Sequence, residues 1–239
     1  MTSQAIKNAT KFLKQYTPCD ISDGLVKHGL KNGGFFPNLK QYSFNPTTKN
    51  SIAGPAYTVL YAPSEDPRPA VKGGYIDTVP EGSVVVIGVT KELQTRYAPY
   101  VTVNNALYGG LMSTRAKYLQ ANGTVVFGRI RDVNEHRDLE YPVLAYGLGT
   151  TASQGTVKVV GINVPLEINI GNDDKYEVIK PQDLIIADEN GVVRIPDDVD
   201  LDSLFDYAPK RVKADQLVSE DIKAGKLAVP SQKEHRSKI

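Results

Sequence analysis

Asn122-Gly123-Thr124-Val125-Val126-Phe127-Gly128-Arg129-Ile130-Arg131-Asp132-Val133-Asn134-Glu135 carries the chain from the end of one helix, through a strand, into another. Asn122-Gly123 reads as a left-handed helix stop. Thr124 to Phe127 is a β-branched and aromatic run of the kind that forms a strand. Asp132 to Leu139 reads as a short helix and Val143 to Tyr146 as the next strand. Upstream, Asn105 to Gln120 reads as a helix, with Leu107, Leu111, Ala116 and Leu119 on one stripe and Ser113, Arg115, Lys117 and Gln120 largely opposite. Helix, strand, helix, strand requires some parallel pairing, because parallel neighbours need a crossover between them. The fold class is α/β.

Outward from this stretch, Gln4 to Tyr16 reads as an amphipathic helix. Asp20 is expected to cap a second helix, Ile21 to His28, that ends at Gly29. Lys31 to Asn50, rich in Gly, Pro and Asn, is expected as loop. Ala56 to Tyr61 and Ser83 to Val89 read as strands, with Ala62 to Gly74 as a surface loop between them. After Gly149, short strands are expected at Val157 to Asn163, Leu166 to Ile170, Tyr176 to Ile179, Asp183 to Ala187 and Val192 to Ile195, with Asn190-Gly191 as a hairpin signal. This half should be largely antiparallel and close a barrel or sandwich against the first. Helix follows from about Asp200, interrupted at Pro209, and then a polar tail after Gly225. The expected organisation is one domain over 1–239, with a helical segment at 1–30 and a helical tail at 198–239.

Composition narrows the function. The 239 residues are 41% hydrophobic and 23% charged with net charge +1, so no basic field attracts nucleic acid. A single cysteine, Cys19, excludes an intrachain disulfide and a cysteine-based zinc site. His28, His136 and His235 are too scattered for a histidine cage, so a metal would be held by oxygen, which favours Mg²⁺ or Mn²⁺. No apolar run of membrane-spanning length is present, and Met1 to Lys14 lacks the apolar core of a signal peptide. A cytoplasmic location is expected. Ser237-Lys238-Ile239 resembles the Ser-Lys-Leu peroxisomal address, with Ile in the last place.

Two short segments carry the candidate chemistry. Gly109-Gly110-Leu111-Met112 offers the free N–H groups and positive dipole end of a helix opening, which bind carboxylate or phosphate. Close helix–sheet packing is the commoner reason for such a glycine pair. Arg131-Asp132 follows a strand's carboxyl end and so points into the crevice where α/β sheets bind ligands. If Asp132 opens a helix, Glu135 shares its face and both carboxylates could serve one cation. A surface ion pair with an N-capping Asp explains the same dipeptide, and Arg137-Asp138 is read that way. His136 is taken as a charged neighbour rather than a catalyst, and Cys19 as a small buried residue.

Several segments occur in the order of a known family. They are Cys19-Asp20-Ile21-Ser22-Asp23-Gly24, Tyr108-Gly109-Gly110-Leu111-Met112 and Gly128-Arg129-Ile130-Arg131-Asp132-Val133-Asn134-Glu135. Tyr141-Pro142-Val143-Leu144-Ala145-Tyr146-Gly147, Pro181-Gln182-Asp183-Leu184-Ile185-Ile186-Ala187-Asp188 and Asn190-Gly191-Val192-Val193 complete the set. Over roughly Thr17 to Ile195 the chain resembles the RraA-like family, which includes the class II 4-hydroxy-4-methyl-2-oxoglutarate aldolases, and most closely its fungal branch.

The resemblance implies a swivelling β/β/α-type domain, with mixed sheets, a central barrel-like β core and flanking helices. It also implies a homotrimer or a dimer of trimers with sites at the subunit boundaries. The family's metal-binding spacing falls on Gly110, Arg131, Asp132 and Glu135. Some catalytic relatives carry an acidic residue where this chain has Gly110, so metal holding would lean more on Glu135. The implied substrate is a small 2-oxo acid whose carboxylate sits on the amides of Gly109, Gly110, Leu111 and Met112. Its C2 oxygen would lie between Arg131 and a divalent metal held by Asp132 and Glu135. Arg131 and Asp132 would be catalytic, releasing pyruvate as its enolate, with water on the metal as the base. Oxaloacetate decarboxylation would be a second activity, since it forms the same enolate. Within the family the other reading is a non-catalytic RraA-type regulatory protein that binds RNase E, a class that tends to lack the acid at Glu135. A Schiff-base aldolase has no lysine singled out for it.

Overall fold

The computed structural model describes residues 2–43, 51–171, 175–237 and 239. The expected loop from Lys31 to Asn50 lies partly outside those residues, as does Lys238 of the terminal tripeptide. The chain opens with α1 (Ser3–Leu13) and α2 (Pro18–Lys27), followed by two very short strands, β1 (Phe35–Phe36) and β2 (Lys40–Gln41). The long strand β3 (Ile52–Pro63) and β4 (Val84–Val89) come next. Then follow β5 (Ala106–Tyr108), α3 (Gly110–Tyr118), β6 (Gly123–Ile130), α4 (Val133–Asp138) and β7 (Val143–Leu148). The second half contributes β8 (Val157–Ile162), β9 (Leu166–Asn169), β10 (Tyr176–Ile179), β11 (Leu184–Asp188) and β12 (Gly191–Ile195). Two helices, α5 (Leu201–Lys223) and α6 (Ala228–Arg236), close the chain.

Ten strands form one mixed sheet along the path β1-β12-β11-β3-β4-β6-β7-β2, with β5 beside β6 and β8 beside β3, and β9 and β10 form a separate ribbon. The parallel part is β3, β4, β6 and β7, with β5 on β6. Most of the antiparallel pairing involves the second-half strands β8, β11 and β12, as their short turn-separated pattern predicts, but β2 of the first half also runs antiparallel on β7. The two ends of the path, β1 and β2, are joined only by Pro37, Asn38 and Leu39. They therefore stand at most about 15 Å apart, the reach of four residues. The sheet bends until its ends return to each other, although among the described residues no β1–β2 pairing closes it.

Period-2 alternation decides what each face covers. Val84, Val86, Val125, Leu144, Ile185, Ala187 and Val192 point into one cluster with Phe36 and Phe127. Their neighbours Val85, Ile87, Val126, Val143 and Ala145 face outward under α3, with Ala116. Leu184, Ile186, Val193 and Ile195 face a third layer built by Leu13 of α1, Ile21 and Leu25 of α2, and Leu204 and Ala208 of α5. Helices from both ends of the chain meet there, with Phe12 stacked on Phe205 at 4.1 Å.

Several local expectations are corrected. The helix read over Asn105 to Gln120 begins only at Gly110, because Ala106–Tyr108 pairs with β6 as a strand. Its stripe holds for Leu107, Ala116 and Leu119 but fails at two positions: Leu111 is 74% exposed, whereas Ser113 is buried. The left-handed residue after that helix is Gln120 (φ 61°), not Asn122, and Gly123 already opens β6. Asp20 is not the cap of α2. Thr17 caps it and Asp20 answers from the third position, its carboxylate accepting from Thr17 N at 2.9 Å. Two short strands interrupt the expected loop after Lys31. Pro209 does not interrupt α5. Burial of Leu204 and Ala208 before it, and of Ala214 and Val218 after it, outweighs the roughly 3 kcal/mol an internal proline costs. The tail beyond Gly225 is helix as well, clasped to α5 by Ser231 and His235 on Asp221 and by Arg236 on Asp215.

Candidate active site

β5 and β6 run parallel and deliver the candidate residues to one edge. Arg131 N donates to the Tyr108 carbonyl at 3.0 Å, so the exits of the two strands lie side by side. From β5 the chain turns at Gly109 into α3, and from β6 it turns at Arg131-Asp132 into α4.

Asp132 has a left-handed backbone, φ 60° and ψ 44°, and its side chain does not cap its own helix. That conformation costs an L-residue roughly 1–2 kcal/mol, least for Asn and Asp. What it achieves is a crossing: Oδ2 accepts from Gly110 N at 3.1 Å, on the neighbouring helix, and lies 3.3 Å from Arg131 Nε. The Glu135 carboxylate packs against the same turn, so that a Cβ on Gly110 would overlap it. A Cβ on Gly109 would lie 2.7 Å from Asp132 Oδ2 and 3.2 Å from Arg131 Nε. Glycine at both places lets two carboxylates and a guanidinium reach the positive end of α3.

A cavity of about 210 Å³ opens here, lined by Gly109, Leu111, Met112, Arg131 and Asp132 together with Tyr61, Tyr75, Leu107, Tyr108, Ala152 and Ser153. Gly110 and Glu135 are not part of this lining, and Glu135 is exposed. Of the four amides expected to hold a ligand carboxylate, that of Gly110 is shared with Asp132 and that of Met112 bonds the Gly109 carbonyl at 3.1 Å.

The tyrosines and the Ala152-Ser153 rim were not anticipated. Tyr61 could have been, since it stands near the carboxyl end of β3, the ligand-binding edge of parallel strands. Ser153 could not: its loop reaches the site only because Ala106 N bonds Thr151 O at 2.8 Å and Asn105 Nδ2 bonds Ala152 O at 2.7 Å. Burial pushes Tyr61 and Tyr108 up to about 12, so both stay protonated and neither serves as a base near neutrality.

Two neighbours differ from expectation. His136 is not a charged surface residue. It is fully buried, and burial holds it below its ordinary pKa. Cys19 is exposed rather than buried, and partial desolvation with the carboxylates of Asp188, Asp20 and Asp23 raises its thiol pKa. It remains a poor nucleophile for that reason.

Two carboxylates at one helix opening make an all-oxygen donor set, which suits Mg²⁺ with its remaining positions filled by water, or Mn²⁺. Electrostatics favour the fit. Asp132 already occupies the anion position at the α3 N-terminus, so a second anion is repelled unless a cation intervenes. Another trio of close ligating groups, Asp221, Glu234 and His235, lies on α5 and α6. There the Lys226 ammonium sits 2.7 Å from Asp221, so that cluster serves as a clasp between helices.

Residues 18–194 match the family model described as RraA-like: Aldolase/RraA. Protein DlpA of Legionella pneumophila is 32% identical over 199 residues, 82% of this chain, but the chain spans only 29% of that protein's length. A Halalkalibacterium halodurans protein named as a candidate 4-hydroxy-4-methyl-2-oxoglutarate aldolase is 32% identical over 196 residues, 82% of this chain and 80% of its own. Two crystal structures share the fold. One, a protein from Pseudomonas syringae pv. tomato, covers 95% of this chain and 97% of its own at TM-score 0.75 and 22% identity. The other, Streptomyces coelicolor RraAS2, described as an unusual member of the RNase ES inhibitor RraA family, covers 87% and 94% at TM-score 0.67 and 22% identity.

Proposed function

The chain belongs to the RraA-like family, and from that premise we propose that it is a divalent-metal-dependent lyase. It cleaves 4-hydroxy-4-methyl-2-oxoglutarate, or a closely related 2-oxo acid, to pyruvate, and it decarboxylates oxaloacetate as a second activity. The observation that carries this reading is the meeting of Arg131 and Asp132 in one cavity with the glycine turn that opens α3. The likeness to the Halalkalibacterium protein supports the reaction class.

In this reading the substrate carboxylate lies at the α3 opening, beside the Arg131 and Asp132 side chains that pack over Gly109. Asp132 and Glu135 hold the cation. A bound Mg²⁺ or Mn²⁺ would supply Lewis-acid polarisation of the C2 carbonyl. Arg131 donates to that same C2 oxygen as the C3–C4 bond breaks and negative charge gathers there. Donors aimed at such developing charge are worth about 10²–10³-fold in rate. Tyr61, Tyr75 and Leu107 wall the far side and limit the ligand to a small acid. Burial keeps the Tyr61 and Tyr108 phenols protonated near neutrality and Asp132 is engaged with the cation, which leaves water to take the C4-hydroxyl proton. Leu111 lines the cavity while 74% exposed, and Tyr118 on the same helix is 76% exposed. A neighbouring subunit of a homotrimer, or of a dimer of trimers, would cover both.

Oxaloacetate with Mg²⁺ or Mn²⁺, assayed for pyruvate, tests the proposal. Activity that EDTA abolishes and added metal restores is the expected result. Folded protein that forms no pyruvate with any divalent cation ends the lyase reading and leaves the non-catalytic RraA-type binding protein.

A further inference from the structure

His136 lies beneath the Arg131-Asp132 turn, and its surroundings are unusual for a packing residue. The ring is fully buried and stacked on Tyr108, with centroids 5.9 Å apart and planes 27° from parallel. Nε2 lies 2.8 Å from the Arg131 carbonyl oxygen. A carbonyl only accepts, so Nε2 carries the hydrogen and Nδ1 is a bare lone pair. Nδ1 is buried with no partner among the described residues. Leucine would fill similar space without that desolvated orphan, so packing alone does not explain an imidazole.

The bond lands where the local geometry is most constrained. The Arg131 carbonyl belongs to the peptide unit that leads into left-handed Asp132. On the other side, Arg131 N is tied to the Tyr108 carbonyl. Arg131 is thus pinned at its amide by β5 and at its carbonyl by the His136 ring. The His136 amide also bonds the Asp132 carbonyl at 3.3 Å, and Glu135 N bonds it at 3.0 Å. Ring and backbone together clasp both ends of the strained residue. Strained backbone persists only when its surroundings over-determine it, and here the ring supplies one of the determinants.

Resting on the reading of Arg131 and Asp132 as the reactive pair, we propose that His136 is their positioning residue. Its Nε2–H, donated to the Arg131 carbonyl, holds Asp132 left-handed and so sends the Asp132 and Arg131 side chains to the α3 opening. His136 does not touch the substrate.

The test compares His136→Leu, which keeps bulk without a donor, with His136→Gln, whose amide nitrogen can reach the same carbonyl. Under saturating Mg²⁺ with oxaloacetate, the leucine variant should lose about tenfold or more in kcat with KM little changed, and the glutamine variant should regain most of it. Equal loss in both folded variants, or a change confined to KM, overturns the proposal. A crystal structure of His136→Leu gives a second arm that needs no activity: Asp132 should leave the left-handed region and release Gly110 N. A φ still near +60° with the Gly110 bond intact overturns the proposal. An inactive wild-type protein would end the lyase reading, and the crystallographic arm would then decide His136 by itself. If His136→Leu does not fold, His136→Gln decides. Wild-type kcat with its amide on the Arg131 carbonyl supports the role, and a folded but inactive variant refutes it.

Discussion

The Glu135 carboxylate fills the space in which a side chain on Gly110 would stand. The two residues belong to different helices, α4 and α3, yet they compete for one volume beside the bond between Asp132 and the Gly110 amide. The family resemblance implies relatives with an acid at the Gly110 position, and such an acid would reach this same volume from α3 instead of α4.

Gly110→Ala should therefore act through Glu135. Gly110 is not in a left-handed conformation, so alanine is compatible with its backbone. The new methyl would displace the Glu135 carboxylate. Mn²⁺ affinity, read by titration, should fall about tenfold, as loss of a supporting ligand does, and the melting temperature should fall too, because the new methyl also stands 2.8 Å from the Glu135 Cβ, which only a backbone shift relieves. Unaltered Mn²⁺ affinity would mean that Glu135 takes no part in holding the cation.

Arg131→Lys keeps the charge and loses the planar fork. Nε now lies 3.3 Å from Asp132 Oδ2 while the rest of the guanidinium is free to serve the cavity. A lysine cannot do both. Turnover of oxaloacetate should drop about 10²–10³-fold. A lysine variant with wild-type kcat would remove Arg131 from the chemistry.

Asp132→Asn separates charge from shape. Asparagine tolerates the left-handed backbone and can still accept from Gly110 N. It should fold normally, yet match the EDTA-treated enzyme in rate. Retained activity would show that the Asp132 charge is dispensable and that the cation is held elsewhere.

The C-terminal clasp predicts an acid response. Lys226, Ser231 and His235 hold the Asp221 carboxyl at about 2, below its ordinary 3.8. A depressed folded pKa stabilises above the unfolded value and loses that contribution as pH falls through the folded one. Amides of α6 should thus be protected from hydrogen exchange at pH 7 and above, and lose protection as pH drops from about 4 toward 2. Asp221→Asn should show the unprotected state already at pH 7. Equal protection in both proteins would refute the clasp.

What the sequence disclosed follows from where each signal originates. Periodicity and turn chemistry are local, so α1, β4, β6 and the β11–β12 hairpin lie close to where the pattern puts them. Ala106–Tyr108 reads as helix locally and becomes strand because β6 offers its backbone groups a partner, a non-local cause. Pro209 fails as a breaker for the same kind of reason, since tertiary burial surrounds it. At the site, Arg131, Asp132 and the glycines were visible because strand ends and helix openings carry chemistry wherever they occur. The crossing of Asp132 to Gly110 was not visible, because it depends on a left-handed backbone that nothing in Arg-Asp-Val announces. His136 looked like a charged neighbour of Glu135 for want of one fact, the side of α4 that faces inward.

Moving the acid from one helix to the other tests the competition between Glu135 and position 110 most directly. Glu135→Ala alone should weaken Mn²⁺ binding while leaving the melting temperature nearly unchanged, since the exposed side chain makes no ion pair among the described residues. It also empties the volume beside Gly110. Adding Gly110→Asp then places a carboxylate on α3 in the vacated space, with only the Cβ retained at position 135, 2.8 Å from the new one, left to give way. If position in space rather than position in sequence is what matters, the double variant should recover most of the Mn²⁺ affinity and of the oxaloacetate decarboxylation. Gly110→Asp in the presence of Glu135 should instead bind worse than wild type, because two carboxylates would be forced together at short range. A double variant as weak as Glu135→Ala, with both proteins folded, would show that Glu135 contributes something a carboxylate at 110 cannot replace.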